Sequence, residues 1–248
     1  MPTWGGILAE LKQLREQGNP APYDVVRRKY LIKLNQKTGR STILYATKWT
    51  QSAPPSEDLY ITEEDLQGFM EVIHGLKGTD VDLILHSPGG SAESSEALVS
   101  YLRSKFKNVR VIVPQTAMSA ATMIACSANS IMMGKHSFLG PIDPQMILHT
   151  QVGTQLIPAQ AILDQFELAK SECEDIKKLG SWMPMLGQYG PALLVQCKDA
   201  LDLSKKLVFE WLRKYMFLGK ENAEVVAEEI ASKLADHTFF KSHGRHIN

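Results

Sequence analysis

The chain has no apolar run long enough to cross a bilayer as a helix, which argues against a helical membrane span. It carries only three cysteines, Cys126, Cys173 and Cys197. That odd number, without metal-ligand spacing, excludes a disulfide framework and reads as reduced, buried thiols in a cytoplasmic protein. It has no excess charge of either sign: Lys+Arg and Asp+Glu stand at 27 each. No global field therefore draws it to nucleic acid or an anionic membrane. There is no GxGxxG dinucleotide fingerprint, no internal repeat and no low-complexity tract. Residues 1–17 interleave Glu10 and Glu16 with basic residues and hold no long apolar stretch, which fits neither a secretory signal nor a membrane span. The histidines have no spacing that suggests a metal site, so the expectation is no metal and no cofactor.

What the chain does have is a strand–turn–helix pattern that recurs. Residues 7–17 read as an amphipathic helix stopped by Gly18-Asn19-Pro20-Ala21-Pro22. Asp24 is placed to cap a second helix to Lys33, with the first arm of a hairpin as the alternative. Residues 42–47 read as a strand, 51–58 as a proline-bearing loop, and 62–76 as a capped helix. Strands at 81–86, 109–113 and 130–133 alternate with helices at 92–106 and 119–128, which argues parallel pairing with right-handed crossovers. Beyond Asp143, Ile162, Phe166, Ala169, Cys173 and Ile176 recur at helical spacing; residues 180–190 interrupt, and helices follow at 193–215 and 222–234. The second half thus reads as helical without strands. The expected organisation is one structural domain: a helical segment 1–40, an α/β core 41–150, and a helical region 151–248 packed on the core or used for oligomerisation.

Two turns carry the chemistry. Leu83-Ile84-Leu85-His86-Ser87-Pro88-Gly89-Gly90 ends a strand in two glycines whose backbone N–H groups nothing shields. Pro114-Gln115-Thr116-Ala117-Met118-Ser119-Ala120-Ala121-Thr122 ends the next strand in a serine that opens a helix. A hydroxyl beside free amide donors is what acyl transfer requires. Each feature also has a plainer use: serine is a common helix N-cap, and glycine pairs mark ordinary turns.

With the segment Met133-Gly134-Lys135-His136-Ser137-Phe138-Leu139-Gly140-Pro141-Ile142-Asp143-Pro144-Gln145, these motifs resemble the serine dehydrogenase proteinase family. That family belongs to the ClpP/crotonase superfold and is related to ClpP and signal peptide peptidase A. The resemblance covers roughly residues 60 to 150. It implies an α/β fold of stacked β-β-α turns with helices covering the sheet, a helical C-terminal region, and assembly into a homo-oligomer, a trimer or hexamer. It also implies peptide-bond hydrolysis through an acyl-enzyme, with a peptide or unfolded protein segment as substrate.

On that reading Ser119 is the nucleophile, and the amides of Gly89, Gly90 and Ala120 form the oxyanion hole. His136 is the first choice of base, oriented by Asp143, although the histidine of ClpP lies further along, where this chain has Pro141, Ile142 and Asp143. A buried Lys170 is the alternative base, as in relatives of signal peptide peptidase A. His86 and Met118 are candidates to line the site, while His149, His237, His243 and His246 are assigned no role. Two other functions compete: a crotonase-type acyl-CoA enzyme in which Ser119 only caps its helix, and an inactive oligomeric scaffold that binds peptides.

Overall fold

The computed structural model describes residues 2–50, 57–150 and 153–247. Two helices come first, α1 (Trp4–Glu16) and α2 (Pro22–Thr38). Thr3 caps α1 by accepting the Gly6 N–H at 3.2 Å. Asp24 does not cap α2. Pro22 opens that helix, Ala21 holds the cap position without a side-chain bond, and Asp24 falls in the first turn. Proline at the first helical position loses no hydrogen bond and arrives with its φ preset, so the helix starts early. The whole segment is helix, which excludes the hairpin alternative. The proline-bearing stretch 51–56 lies outside the described residues.

Strand β1 (Ser41–Ala46) leads, by a 3₁₀ turn at Glu57–Leu59, to α3 (Glu64–Ile73). Asp65 reaches back to accept the Thr62 N–H at 2.9 Å, half of a capping box. Then come β2 (Asp80–His86), α4 (Ala92–Lys105), β3 (Asn108–Val113), the short β4 (Thr116–Ala117), α5 (Ala120–Cys126), β5 (Ser130–Met133) and β6 (Phe138–Leu139). Strands β1, β2, β3 and β5 form one parallel sheet in that order, and β4 pairs in parallel with β6.

The sheet is parallel because each pair of its strands is joined by a helical crossover, and both faces are covered. Leu83 and Leu85 of β2, with Val109 and Val111 of β3, are fully buried. They pack in one core with Leu98 and Leu102 of α4 and with the small residues of α5. That core extends into the C-terminal helices α8 (Leu193–Trp211) and α9 (Ala223–Ala235) through Leu207, Val208, Ala227 and Ala231. Each large apolar side chain buried here contributes roughly 1.5–3 kcal/mol.

The second half is not free of strands. Residues Gln145–Thr150 (β7) and Gly153–Pro158 (β8) form an antiparallel hairpin. The residues 180–190 do not simply interrupt the helices either: after α6 (Ala159–Glu172), α7 (Ile176–Leu186) runs through Gly180. A glycine in an exposed helix costs only about 1 kcal/mol. The hairpin, α6 and the start of α8 share a small separate core of Ala159, Ile162, Leu193 and Cys197. A π turn (Leu212–Met216) ends α8, and α10 (His237–Phe240) begins the tail. No helix among the described residues is long and apolar enough to cross a membrane.

One buried ionic cluster pins the strands at their amino ends. Asp82 of β2 is fully buried. It accepts from Arg40 Nε at 2.6 Å and from Arg110 Nε and Nη2 at 2.9 and 2.6 Å. Arg40 also donates to the carbonyls of Val81 and Asn108, joining the strands on either side.

Candidate active site

The two turns meet outside the carboxyl ends of β2 and β3. Ser87 bridges Ala117 in parallel: its N–H donates to the Thr116 carbonyl and its carbonyl accepts from Met118. A second bridge joins Ile61 to Gly90, with Ile61 donating to Gly89 and accepting from Ser91. These bonds hold the glycine turn directly against the serine turn.

Ser119 stands at the cap position of α5, yet it does not cap. Its backbone lies at φ 50° and ψ −124°, and its side chain makes no capping bond. Among the described residues no protein group hydrogen-bonds its half-buried hydroxyl. A left-handed serine backbone of this kind costs roughly 1–3 kcal/mol and persists only where its surroundings enforce it. They do so here. Thr122 donates its hydroxyl to the Ala117 carbonyl at 2.8 Å and accepts the Gly140 N–H at 3.1 Å, locking the first turn of α5 to β4 and β6. Replacing Ser119 by glycine should relieve the strain and raise the thermal midpoint by a few degrees, about 1 kcal/mol. Ser119→Ala should leave the midpoint unchanged, and thermal melts of the two variants check the contrast.

Gly89 sits under Ser119 at φ +99°. A Cβ on Gly89 would stand 2.6 Å from both Ser119 Cβ and the Met118 carbonyl oxygen, and 2.9 Å from the Ala120 nitrogen. The Gly89 N–H is already used, donated to the buried Ser87 hydroxyl at 3.1 Å. Among the donors of these turns without a protein acceptor among the described residues are the N–H groups of Gly90 and Ala120. Gly90 is turned so that Ile61 uses its neighbours instead, and Ala120 opens a helix whose first amides have no partner within it.

The other candidates lie as follows. Met118 is buried, with its side chain across Gly140. His86 donates or accepts at the Thr116 carbonyl, 3.0 Å away, and its ring leans on Trp49. Burial holds its imidazole below the ordinary histidine range, against the opposing pull of that carbonyl. His136 is exposed and bonded to the Pro114 carbonyl at 3.1 Å. Since β4 pairs Thr116 with Phe138, His136 falls level with Pro114, on the order of 15 Å along the strand from Ser119. The structure does not bring it to the serine. Lys170 is 70% exposed and pairs with Glu167 at 3.3 Å, on the helix that belongs to the smaller core. The burial that would make it a base is absent.

Asp143 is where sequence reasoning saw half of an arrangement. It is buried, and its carboxylate accepts from His243 Nδ1 at 2.7 Å and from Gln145 Nε2 at 3.2 Å. His237 Nδ1 lies 3.6 Å from its other oxygen. Both histidines come from the polar tail, roughly a hundred residues away, and no local pattern announces them. Ser87 and Thr122 were inside the motifs but carry roles, holding Gly89 and α5, that only the contacts reveal. The thiols offer no competing nucleophile: burial pushes Cys126 up to about 12, and Cys197 is also raised. Cys173 is only partly buried, less than expected for a core thiol. No cluster of three or more ligating side chains suited to a metal occurs among the described residues.

A serine turn is thus locked against a glycine turn at the carboxyl ends of parallel strands. Residues 59–242 match the model of the ClpP-like SDH-type serine proteinases, and the chain belongs to that family. Among curated relatives, the uncharacterized protein MJ1495 of Methanocaldococcus jannaschii is 30% identical over 183 residues, covering 73% of this chain and 54% of that protein. MJ0137 of the same organism is 39% identical over 88 residues, 35% of this chain and 31% of that one. The chain thus spans about half the length, or less, of these relatives. Among solved structures, a mutant of the 1510-N membrane-bound stomatin-specific protease in complex with a substrate peptide aligns over 78% of this chain and 64% of that one, with a TM-score of 0.40 and 18% identity.

Proposed function

We propose that this protein is a cytoplasmic serine peptidase that hydrolyses peptide bonds through an acyl-enzyme on Ser119. One observation carries the reading: an unbonded serine hydroxyl, held on a strained backbone, beside two bare amide donors. The Ser119 oxygen attacks the scissile carbonyl. The N–H groups of Gly90 and Ala120 stabilise the oxyanion, and a water then releases the acyl group. Gly89 serves by shape, letting the two turns touch.

The substrate is a peptide or an unfolded protein segment. The working form is a homo-oligomer, a trimer or hexamer. Supporting assembly, the hairpin exposes Ile147 and Leu156, and α7 exposes Ile176 and Met183, each at least 60% accessible. Apolar faces of this kind mark contact surfaces.

A serine-directed fluorophosphonate probe tests the nucleophile. Wild-type protein should label at Ser119, with the adduct located by mass spectrometry, and Ser119→Ala should not label. Equal labelling of the two would refute the assignment.

A further inference from the structure

We infer that the helix pair α1–α2 is an arm that docks on the α3 face of a second copy of this chain, joining protomers head to tail in a ring. The inference rests on the homo-oligomeric working form proposed above and names the surfaces that build it. The zero net charge hides a separation. Residues 1–40 hold eight Lys or Arg against three Asp or Glu, and residues 41–248 hold nineteen against twenty-four. Between Lys48 and Lys77 there is no Lys or Arg, but six Asp or Glu. Charge segregated in this way marks a segment that meets a partner of the opposite sign.

The arm is poorly covered by its own body. Leu11 and Val26 are buried, while Trp4, Leu8, Tyr23, Val25 and Ile32 are exposed. Val25 and Ile32 share one stripe of α2, with Arg28 on one side of it and Lys29 and Lys33 on the other. Glu10 holds Lys29 at 2.8 Å, and Lys33 lies over the Tyr30 ring. Arg28 has no carboxylate partner among the described residues. The face that fits this arm starts beside the glycine turn, where Ile61 bridges Gly90. On α3, Glu64 and Glu71 share a stripe, with the exposed Met70 and Val72 to either side of it. Other acidic helices answer their own charge: in α9, Glu224, Glu228 and Glu229 pair with Arg213, Lys205 and Lys233. Glu63, Glu64 and Glu71 form no ion pair among the described residues, nor does Glu96 on the neighbouring α4.

A basic arm could also meet nucleic acid or an anionic bilayer, but its apolar side chains favour a folded partner. Tyr23 and Val25, two positions apart on α2, point to nearly opposite sides of the helix, and both are exposed. A planar bilayer meets one side of a helix, and a phosphate backbone covers neither apolar group. A protein surface that wraps the arm covers both. The chain itself carries such a surface, of opposite charge and with exposed apolar side chains of its own. Burial of the apolar groups then gives the contact its strength, and the charges fix which surfaces meet and in what register. Two different patches on one chain make a heterologous contact, which repeats head to tail and closes into a ring when the rotation allows.

The test is the mass of the full chain in solution, by sedimentation velocity. Arg28→Glu with Lys33→Glu reverses the arm, and Glu64→Lys with Glu71→Lys reverses the face. All four side chains are exposed, so every variant should keep the wild-type circular dichroism. Either reversal alone should lower the mass about threefold or more, from a ring to a protomer or a single pair. Reversing both sides in one chain should restore the ring, which a general loss of stability could not do. A monomeric wild type, a mass that neither reversal changes, or a fourfold variant that stays dissociated overturns the docking. So does an unchanged mass together with binding to duplex DNA, or to phosphatidylglycerol vesicles, that the arm reversal abolishes. Probe labelling is read separately: Ser119→Ala labelling like wild type sinks the peptidase reading and leaves the ring standing.

Discussion

Gly89→Ala should lose probe labelling by at least 100- to 1000-fold, the effect of losing an oxyanion donor, although Gly89 donates nothing to the oxyanion itself. The reason is steric and local. The added methyl would stand 2.6 Å from Ser119 Cβ and from the Met118 carbonyl oxygen, and 2.9 Å from the Ala120 nitrogen. None of these is the loose end of a flexible side chain, so the serine turn must retreat. The Ala120 N–H moves with it, and the hydroxyl and one of its amide donors are displaced in a single change. Gly89 also sits at φ +99°, where alanine is strained whatever the space. Ser87→Ala is the companion control, removing the hydroxyl that holds the Gly89 N–H without adding bulk. Labelling rates measured alongside circular dichroism separate the two causes. A Gly89→Ala protein that folds and labels normally would show that the turns do not touch.

How much of this could be read from the chain follows the range of the interactions. The bounds of β2, β3 and α4 come within one residue of the sequence reading, because each is set by local apolar periodicity. Ser119 and the glycine pair were legible for the same reason, as short motifs at the ends of strands. The start of α5 differs by one residue, and that residue is Ser119, whose strained backbone belongs to the turn rather than the helix.

The hairpin β7–β8 escaped because apolar residues fill both of its faces: Met146 and Leu148 pack on the smaller core, with Ile147 between them. Ile147 and Leu156 face solvent at 62% and 63% exposure, so the apolar–polar alternation that marks a half-buried strand is missing. The partner of Asp143 escaped for a different reason. Asp143 was visible, but its partner His243 is 100 positions away and joins it through tertiary register. Local spacing favoured His136 because it was near in sequence, while the β4–β6 pairing carries it away from the serine.

The largest effect on stability should come from Asp82→Ala, far from the chemistry: about 3–5 kcal/mol, or roughly 10 °C in the thermal midpoint. The carboxylate is fully buried, and the two guanidinium groups it faces are only 14% and 24% exposed. Removing it leaves those cations together in a poorly solvated space. The two arginines are not equivalent. Arg40 keeps the carbonyls of Val81 and Asn108 and the exposed Asp80 carboxylate. Arg110 holds Asp82 through two nitrogens and has no other hydrogen bond to a side chain among the described residues. The uncompensated charge therefore falls mainly on Arg110, and adding Arg110→Met to Asp82→Ala should recover a large part of the loss. A buried ion pair is costly to break on one side but often replaceable on both, because desolvation opposes its attraction throughout. Thermal melts of the two single variants and the double variant close the cycle, with a coupling of at least about 1 kcal/mol expected between neighbours of this kind. Additive single effects would mean that Asp82 serves Arg40 and the sheet edge alone, and that Arg110 is solvated enough to stand unpaired.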